Sequence, residues 1–417
     1  MYASQSAEYA IVAENWVSSN QEMLQQLKYH EAIADWLNTN EDGVWDWFSN
    51  RKLQDEQDAE TRDLLLQQTV RLTRETHSTA YACCETAMAK LGVDAPVTLY
   101  QAGDGAMNAA LFFIPGEVHV VLYGPVLERL SEDELTALCG HEVSHYLLWT
   151  FAARRYRIAQ QIIDDAVQQA PGDYTLYETA RLFLLATEVF ADRGAALACG
   201  RQAPAIAVLL KVMTGLAETD PSAFLEQAAE LDAKGEISKN HTHPEVYLRA
   251  LFIDRWWRER GADADDVIDD WVLSKIKGPM AIGQLDLVDQ QRLGALTRQF
   301  FARLLHDSEL ASKMAVTLVR QFFPDWEEGE TRIDLETLKQ VGEDKSMSDY
   351  FIALIFDLAH ADPEQTEEVL VRGAKLACSV EWEEAYRANL KSLLKMRKPQ
   401  IDRIMRAAET VAWEISQ

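Results

Sequence analysis

Two histidines four residues apart bracket a glutamate in the run His141-Glu142-Val143-Ser144-His145. On a helix this spacing projects both imidazoles from one face, so they can reach a single ion. Glu142 then emerges about 100° further round, placed to touch a water on that ion rather than the ion itself. Zinc suits the donors, because it is borderline-soft, accepts imidazole nitrogen and keeps an open position when a protein supplies three ligands. The chemistry expected of such a set is attack by an activated water, with Glu142 as general base. The competing reading is two histidines on an exposed helix face with an unrelated glutamate between them. With nine histidines in the chain, that coincidence is uncommon but real.

A third ligand is needed, and the candidate is Glu188 in Glu188-Val-Phe-Ala-Asp192, with 42 residues between it and His145. Leu182, Phe183, Leu184, Leu185, Phe190 and Ala191 make the surrounding segment largely apolar. Carboxylates there are costly to bury unless coordinated or paired. Glu188 and Asp192 share a helical face, so Glu188 can bind the metal while Asp192 accepts a ring N–H from a ligand histidine and fixes its tautomer. Taken alone, Glu-x-x-x-Asp in an acidic chain is more often a solvated stripe.

The elements that must position these residues are legible in part. Ser131-Glu-Asp-Glu134 has the capping-box form and predicts the start of the helix bearing His141. Gly140 inside that helix costs roughly 1 kcal/mol relative to alanine and marks a close backbone approach. With Ser144 one turn on, it forms a small-residue strip. A second helix, capped by Asp173 and stopped at Gly200, could cross there and bring Glu188. Val97 to Tyr100, Leu111 to Ile114 and Val118 to Tyr123, the last two joined by Pro115-Gly116, read as strands and as the only β region. From Ala7 to about Leu91 the pattern is helical, with Trp36, Trp45, Trp47 and Phe48 as packing residues. Beyond Arg260 it is helical again, entered through the acidic stretch 261–266. The fold class expected is α+β, predominantly helical, with a small β-sheet beside the metal helix and helical flanking regions. The divisions expected are an N-terminal helical region (1–60), a metal-binding domain (61–260) and a C-terminal helical domain (261–417).

A formal net charge of −27 argues against nucleic acid as a partner and weakens binding to acidic membranes. No membrane span is expected, since the nearest approach, Ala109 to Leu127, is broken by Pro115, Gly116, Glu117, His119, Gly124 and Pro125. Five scattered cysteines and the lack of a basic-then-apolar leader point to a soluble, cytoplasmic protein. His119 and His241 read as strand or surface histidines, Cys139 and Cys199 as small buried residues, and Trp256-Trp257 and Phe322-Phe323 as core.

From roughly Thr61 to Arg260 the chain resembles the gluzincin metallopeptidases that include HtpX and the CaaX-prenyl endopeptidases. The similarity rests on four pieces in order: Asn108-Ala109 before a strand and a Pro-Gly turn, Leu130 to His145, Glu188-Val-Phe-Ala-Asp192, and His243-Pro244 with Arg249 six residues after the histidine. Many relatives are membrane-embedded, and this chain departs from them there. The resemblance implies a zinc endopeptidase holding one Zn2+ through His141, His145 and Glu188, with Asp192 behind a ligand. It also implies a polypeptide substrate lying along an edge at Asn108 and Ala109. His243 and Arg249 would donate hydrogen bonds to the oxyanion; on their own they read as a helix-start pair and a surface arginine. The alternative is a non-catalytic zinc-containing helical scaffold or protein-binding module. An intact Glu142 favours the enzyme, because a structural site has no need of a base. In either case the helical flanks could recruit protein partners.

Overall fold

The computed structural model describes residues 24–103, 105–260, 265–306, 310–327 and 329–411. The expected helical stretch over 7–23 and the linker at 261–264 lie outside the described residues. The chain divides into two compact units between Gly278 and Pro279. In the first, α1 (Lys28–Asn40), α2 (Asp42–Phe48) and α3 (Arg51–Gln68) lead to β1 (Val70–Arg71), α4 (Ser78–Leu91), β2 (Val97–Gln101), β3 (Asn108–Ile114) and β4 (Glu117–Tyr123). Then follow α5 (Val126–Arg129), α6 (Glu132–Gln169), α7 (Tyr174–Cys199), α8 (Gln202–Thr214), α9 (Pro221–Asp232), α10 (Val246–Glu259) and α11 (Asp265–Ile276). The fold is predominantly helical α+β, as the pattern predicts. Among the described residues, no helix is long and apolar enough to cross a membrane.

The four strands form one sheet in the order β1-β2-β4-β3. β4 is central, parallel to β2 and antiparallel to β3, and its Val118, Val120, Val121 and Leu122 are buried on alternate faces. That explains a continuous apolar run where a half-buried strand would alternate. Tyr100 and Val121 meet Leu65 of α3 on one face, and α6 lies against β3 and β4. β3 is an edge strand, with β4 as its neighbour. The segment leading to Leu91 is not all helix: β1 interrupts it, with Val70 opposite Gln101.

Ser131 begins α6 as expected, its Oγ accepting from the Glu134 N–H while the Glu134 carboxylate accepts from the Ser131 N–H at 2.8 Å. Asp173 caps α7 through the N–H groups of Thr175 and Leu176, and Gly200 ends it with φ 73°. These two helices cross at the small-residue strip. A Cβ on Gly140 would overlap Ala198 Cβ and stand 3.2 Å from the Gly194 carbonyl oxygen; one on Gly194 would overlap Ser144. Gly140→Ala is therefore expected to cost roughly 1–3 kcal/mol through forced separation of α6 and α7. Adding Ala198→Gly should recover most of that loss in thermal melting, and full additivity of the two changes would contradict the contact.

α6 is not continuous. Phe151 leaves helical geometry, and Ala152, Ala153 and Arg154 follow with φ of 45°, 56° and 68°. Each left-handed non-glycine residue costs roughly 1–2 kcal/mol, and no glycine or proline in the sequence announces the break.

α1 packs His30 into the core at 0% exposure. Its Nδ1 accepts from the Leu27 N–H at 3.2 Å, so Nε2 carries the hydrogen and donates to Thr187 Oγ1 at 3.1 Å, whose own hydrogen goes to the Phe183 carbonyl. Burial, helped by the Arg193 charge, pulls His30 down to about 3. The unfolded chain would protonate it near pH 6.5, so its stabilising contribution is complete above that and is lost as pH falls towards 3. Between pH 6.5 and 5, His30→Gln should lose about 2 kcal/mol less unfolding free energy than the wild type, measured by denaturant melts. Equal losses would show that His30 is not buried neutral.

The second unit holds α12 (Leu287–Leu304), α13 (Lys313–Phe322), α14 (Leu335–Val341), α15 (Lys345–Ala361), α16 (Thr366–Ser379), α17 (Glu383–Ser392) and α18 (Lys398–Thr410). Phe300, Phe301, Phe351, Trp382 and Tyr386 centre its core. Phe322 is half-exposed rather than core, whereas Trp256 of α10 is fully buried.

Candidate metal centre

Because α6 and α7 cross at glycines, the histidine face of one comes directly opposite the carboxylates of the other. The ligand atoms of His141, His145 and Glu188 all lie within 4.8 Å of one another. His141 Nε2 is 3.2 Å from His145 Nε2 and 3.4 Å from Glu188 Oε2, and His145 Nε2 is 3.6 Å from Glu188 Oε1. His141 Nδ1 meets Asp192 Oδ1 at 3.1 Å, so Nε2 is the nitrogen turned towards His145 and Glu188. Arg249 of α10 donates from Nε and Nη2 to the two Asp192 oxygens at 2.7 and 2.6 Å. Its Nη2 also stands 3.3 Å from Glu188 Oε2. His243, in the loop before α10, is half-exposed, with Nε2 3.4 Å from Glu188 Oε2 and Nδ1 2.9 Å from Thr242 Oγ1.

These residues line one cavity of about 360 Å³, together with Glu142 and the β3 residues Asn108 to Leu111. Asn108 is exposed and Ala109 buried, at the start of the edge strand. His119, by contrast, is a strand histidine between Tyr100 OH and Glu117, and His241 is an exposed one beside Tyr177 OH. Cys139 is buried and Cys199 half-buried. The cavity also takes in residues that sequence alone does not single out, Trp149 and Gln160 among them. Trp149 follows His145 by one turn on the same face, a signal that was available; Gln160 arrives only because α6 breaks.

The electrostatics favour a cation at the centre. Burial works against a charge on His141, yet its hydrogen bond to Asp192 and the Glu188 and Asp192 carboxylates beside it push it up to about 10. Burial, together with the His141 charge, pulls His145 down to about 4. Glu188 and Asp192 are held below the usual carboxylate range despite burial, Glu188 by the His141 and Arg249 side chains beside it, Asp192 by Arg249 above all. Glu142 differs: burial, with the Glu188 charge, pushes it up to about 7 against the pull of His141, the Leu111 backbone hydrogen bond and Arg249.

The donor set fits a zinc ion. Glu188 Oε2 is buried without a hydrogen-bond donor, although three nitrogens stand 3.3 to 3.4 Å from it, and two imidazole nitrogens converge on the same point. Two nitrogens and one carboxylate oxygen, with one histidine backed by a carboxylate, is the chemistry zinc prefers. No curated protein and no solved structure matches the chain significantly. Residues 71–256, which carry all of these side chains, match the model of peptidase family M48, a family of zinc-dependent metallopeptidases.

Proposed function

We propose that the protein is a zinc-dependent endopeptidase in which Glu142 is the general base. The observation that carries this reading is the meeting of His141, His145 and Glu188 in one cavity with a buried, readily protonated Glu142 and the edge of β3. When bound by those three ligands, Zn2+ supplies Lewis-acid chemistry, acidifying a water and polarising a carbonyl oxygen. Glu142 takes the proton of the attacking water and returns it to the departing amine, a task suited to a group that titrates near neutrality. Asp192 fixes the His141 tautomer, and Arg249, engaged by Asp192 through Nε and Nη2, holds that carboxylate in place. His243, on the cavity wall beside Glu188, is assigned as the donor to the oxyanion. The free edge of β3 at Asn108 and Ala109 receives the substrate as an extended strand, through backbone hydrogen bonds indifferent to sequence.

The test is cleavage of unfolded casein by the full-length protein. Turnover should disappear on chelation and return with added zinc. Bound zinc without turnover would favour the non-catalytic scaffold.

A further inference from the structure

The two histidines that face each other in the cavity are held in different ways. His141 has the Asp192 carboxylate at its Nδ1. His145 has no such support: its Nδ1 is buried, sealed from solvent and without a hydrogen-bond partner. A metal-binding histidine almost always donates its other ring N–H to a carboxylate, a carbonyl or a water, and that bond fixes how the ring faces the ion. For His145 the orientation must come from packing.

That packing is aromatic. Trp149, one turn further along α6, stacks on the His145 imidazole with ring centroids 5.7 Å apart and planes 28° from parallel. The His141 ring meets His145 at 4.8 Å and 85°. Trp149 is itself confined. Phe113 of β3 stands at 5.6 Å and 83° to it, and the Arg157 guanidinium lies 4.9 Å from the indole centroid. Stacked and edge-on rings at these separations attract one another, and a guanidinium over an indole adds a cation–π attraction that burial strengthens.

Arg157 belongs to the second arm of α6, beyond the break at Phe151–Arg154. In an unbroken helix residues 149 and 157 would stand about 12 Å apart along the axis. The reversal turns the second arm back, so that Arg157 reaches the indole and Gln160 the cavity. Left-handed residues other than glycine persist only where the surrounding fold over-determines them. Here the strained turn closes the arm on Trp149.

We propose that Trp149 is a positioning residue for the metal centre: its ring, confined by Phe113 and Arg157, orients His145 towards the ion as Asp192 orients His141. The inference rests on the zinc part of the reading above and not on turnover.

Zinc affinity of the full-length protein tests it, measured by competition with a chromophoric chelator beside thermal melting of the zinc-free chains. Trp149→Leu and Trp149→Met keep apolar bulk and remove the ring; each should bind zinc about tenfold more weakly than wild type. Trp149→Phe keeps a ring to stack and should bind at least threefold more tightly than either. A tryptophan that only fills space predicts no such rescue when the zinc-free chains melt alike. Leu or Met alone suffices if the other does not fold. Affinity within twofold of wild type in a folded Leu or Met variant, or a Phe variant no better than these, overturns the role of Trp149 while the metal centre stands. Wild-type protein that takes up no zinc removes the centre and this inference with it. Zinc bound with the expected order of affinities but no cleavage of casein sinks the endopeptidase reading alone.

Discussion

Glu142→Gln is expected to lower kcat on unfolded casein by about two to four orders of magnitude while leaving zinc content unchanged. The substitution keeps the size and shape of a side chain that is almost fully buried, so the crossing of α6 and α7 is undisturbed. What it removes is proton acceptance. Glu142 is pushed up to about 7 mainly by burial, which suits it to take a proton and give it back; a carboxamide does neither. The three side chains proposed as ligands are those of His141, His145 and Glu188, and none is altered. Activity within tenfold of wild type would assign the base to another group.

Glu188→Ala should act on the metal instead. It removes the one carboxylate among the three ligand atoms and leaves the Arg249 guanidinium facing two imidazoles. A group that only supports a ligand is worth about 10–100-fold in metal affinity, and that is the loss expected for Asp192→Asn, which weakens the hold on His141 Nδ1. Glu188→Ala should exceed it, to the point where zinc is lost on dialysis. Equal losses in the two variants, measured by competition with a chromophoric chelator, would contradict the division between ligand and support.

Much of this centre was legible because it depends on local periodicity. His141 and His145 share a face by spacing, Glu188 and Asp192 do so on an apolar helix, and Gly140 with Ser144 announced a close crossing that Gly194 and Ala198 complete from the other side. The capping box at Ser131 and the Asp173 cap set where both helices begin. The rest needs tertiary information. β1 has two residues, too few for any period, and its place is set by pairing with β2. The break in α6 falls in Phe151-Ala-Ala-Arg154, which contains neither glycine nor proline, so local propensity points to an unbroken helix. Gln160 was invisible for that reason. The pairing of Arg249 with Asp192 and of His30 with Thr187 joins residues 57 and 157 apart, and no local pattern encodes either.

Two imidazoles and one carboxylate on crossing helices are proposed to hold a single zinc ion. Metal analysis of the dialysed full-length protein tests it most directly, with His145→Ala and Glu188→Ala measured alongside. About one zinc per wild-type chain is expected, and close to none in either folded variant. Wild-type protein that takes up no zinc when saturated with it, or variants that keep a full equivalent, would contradict it.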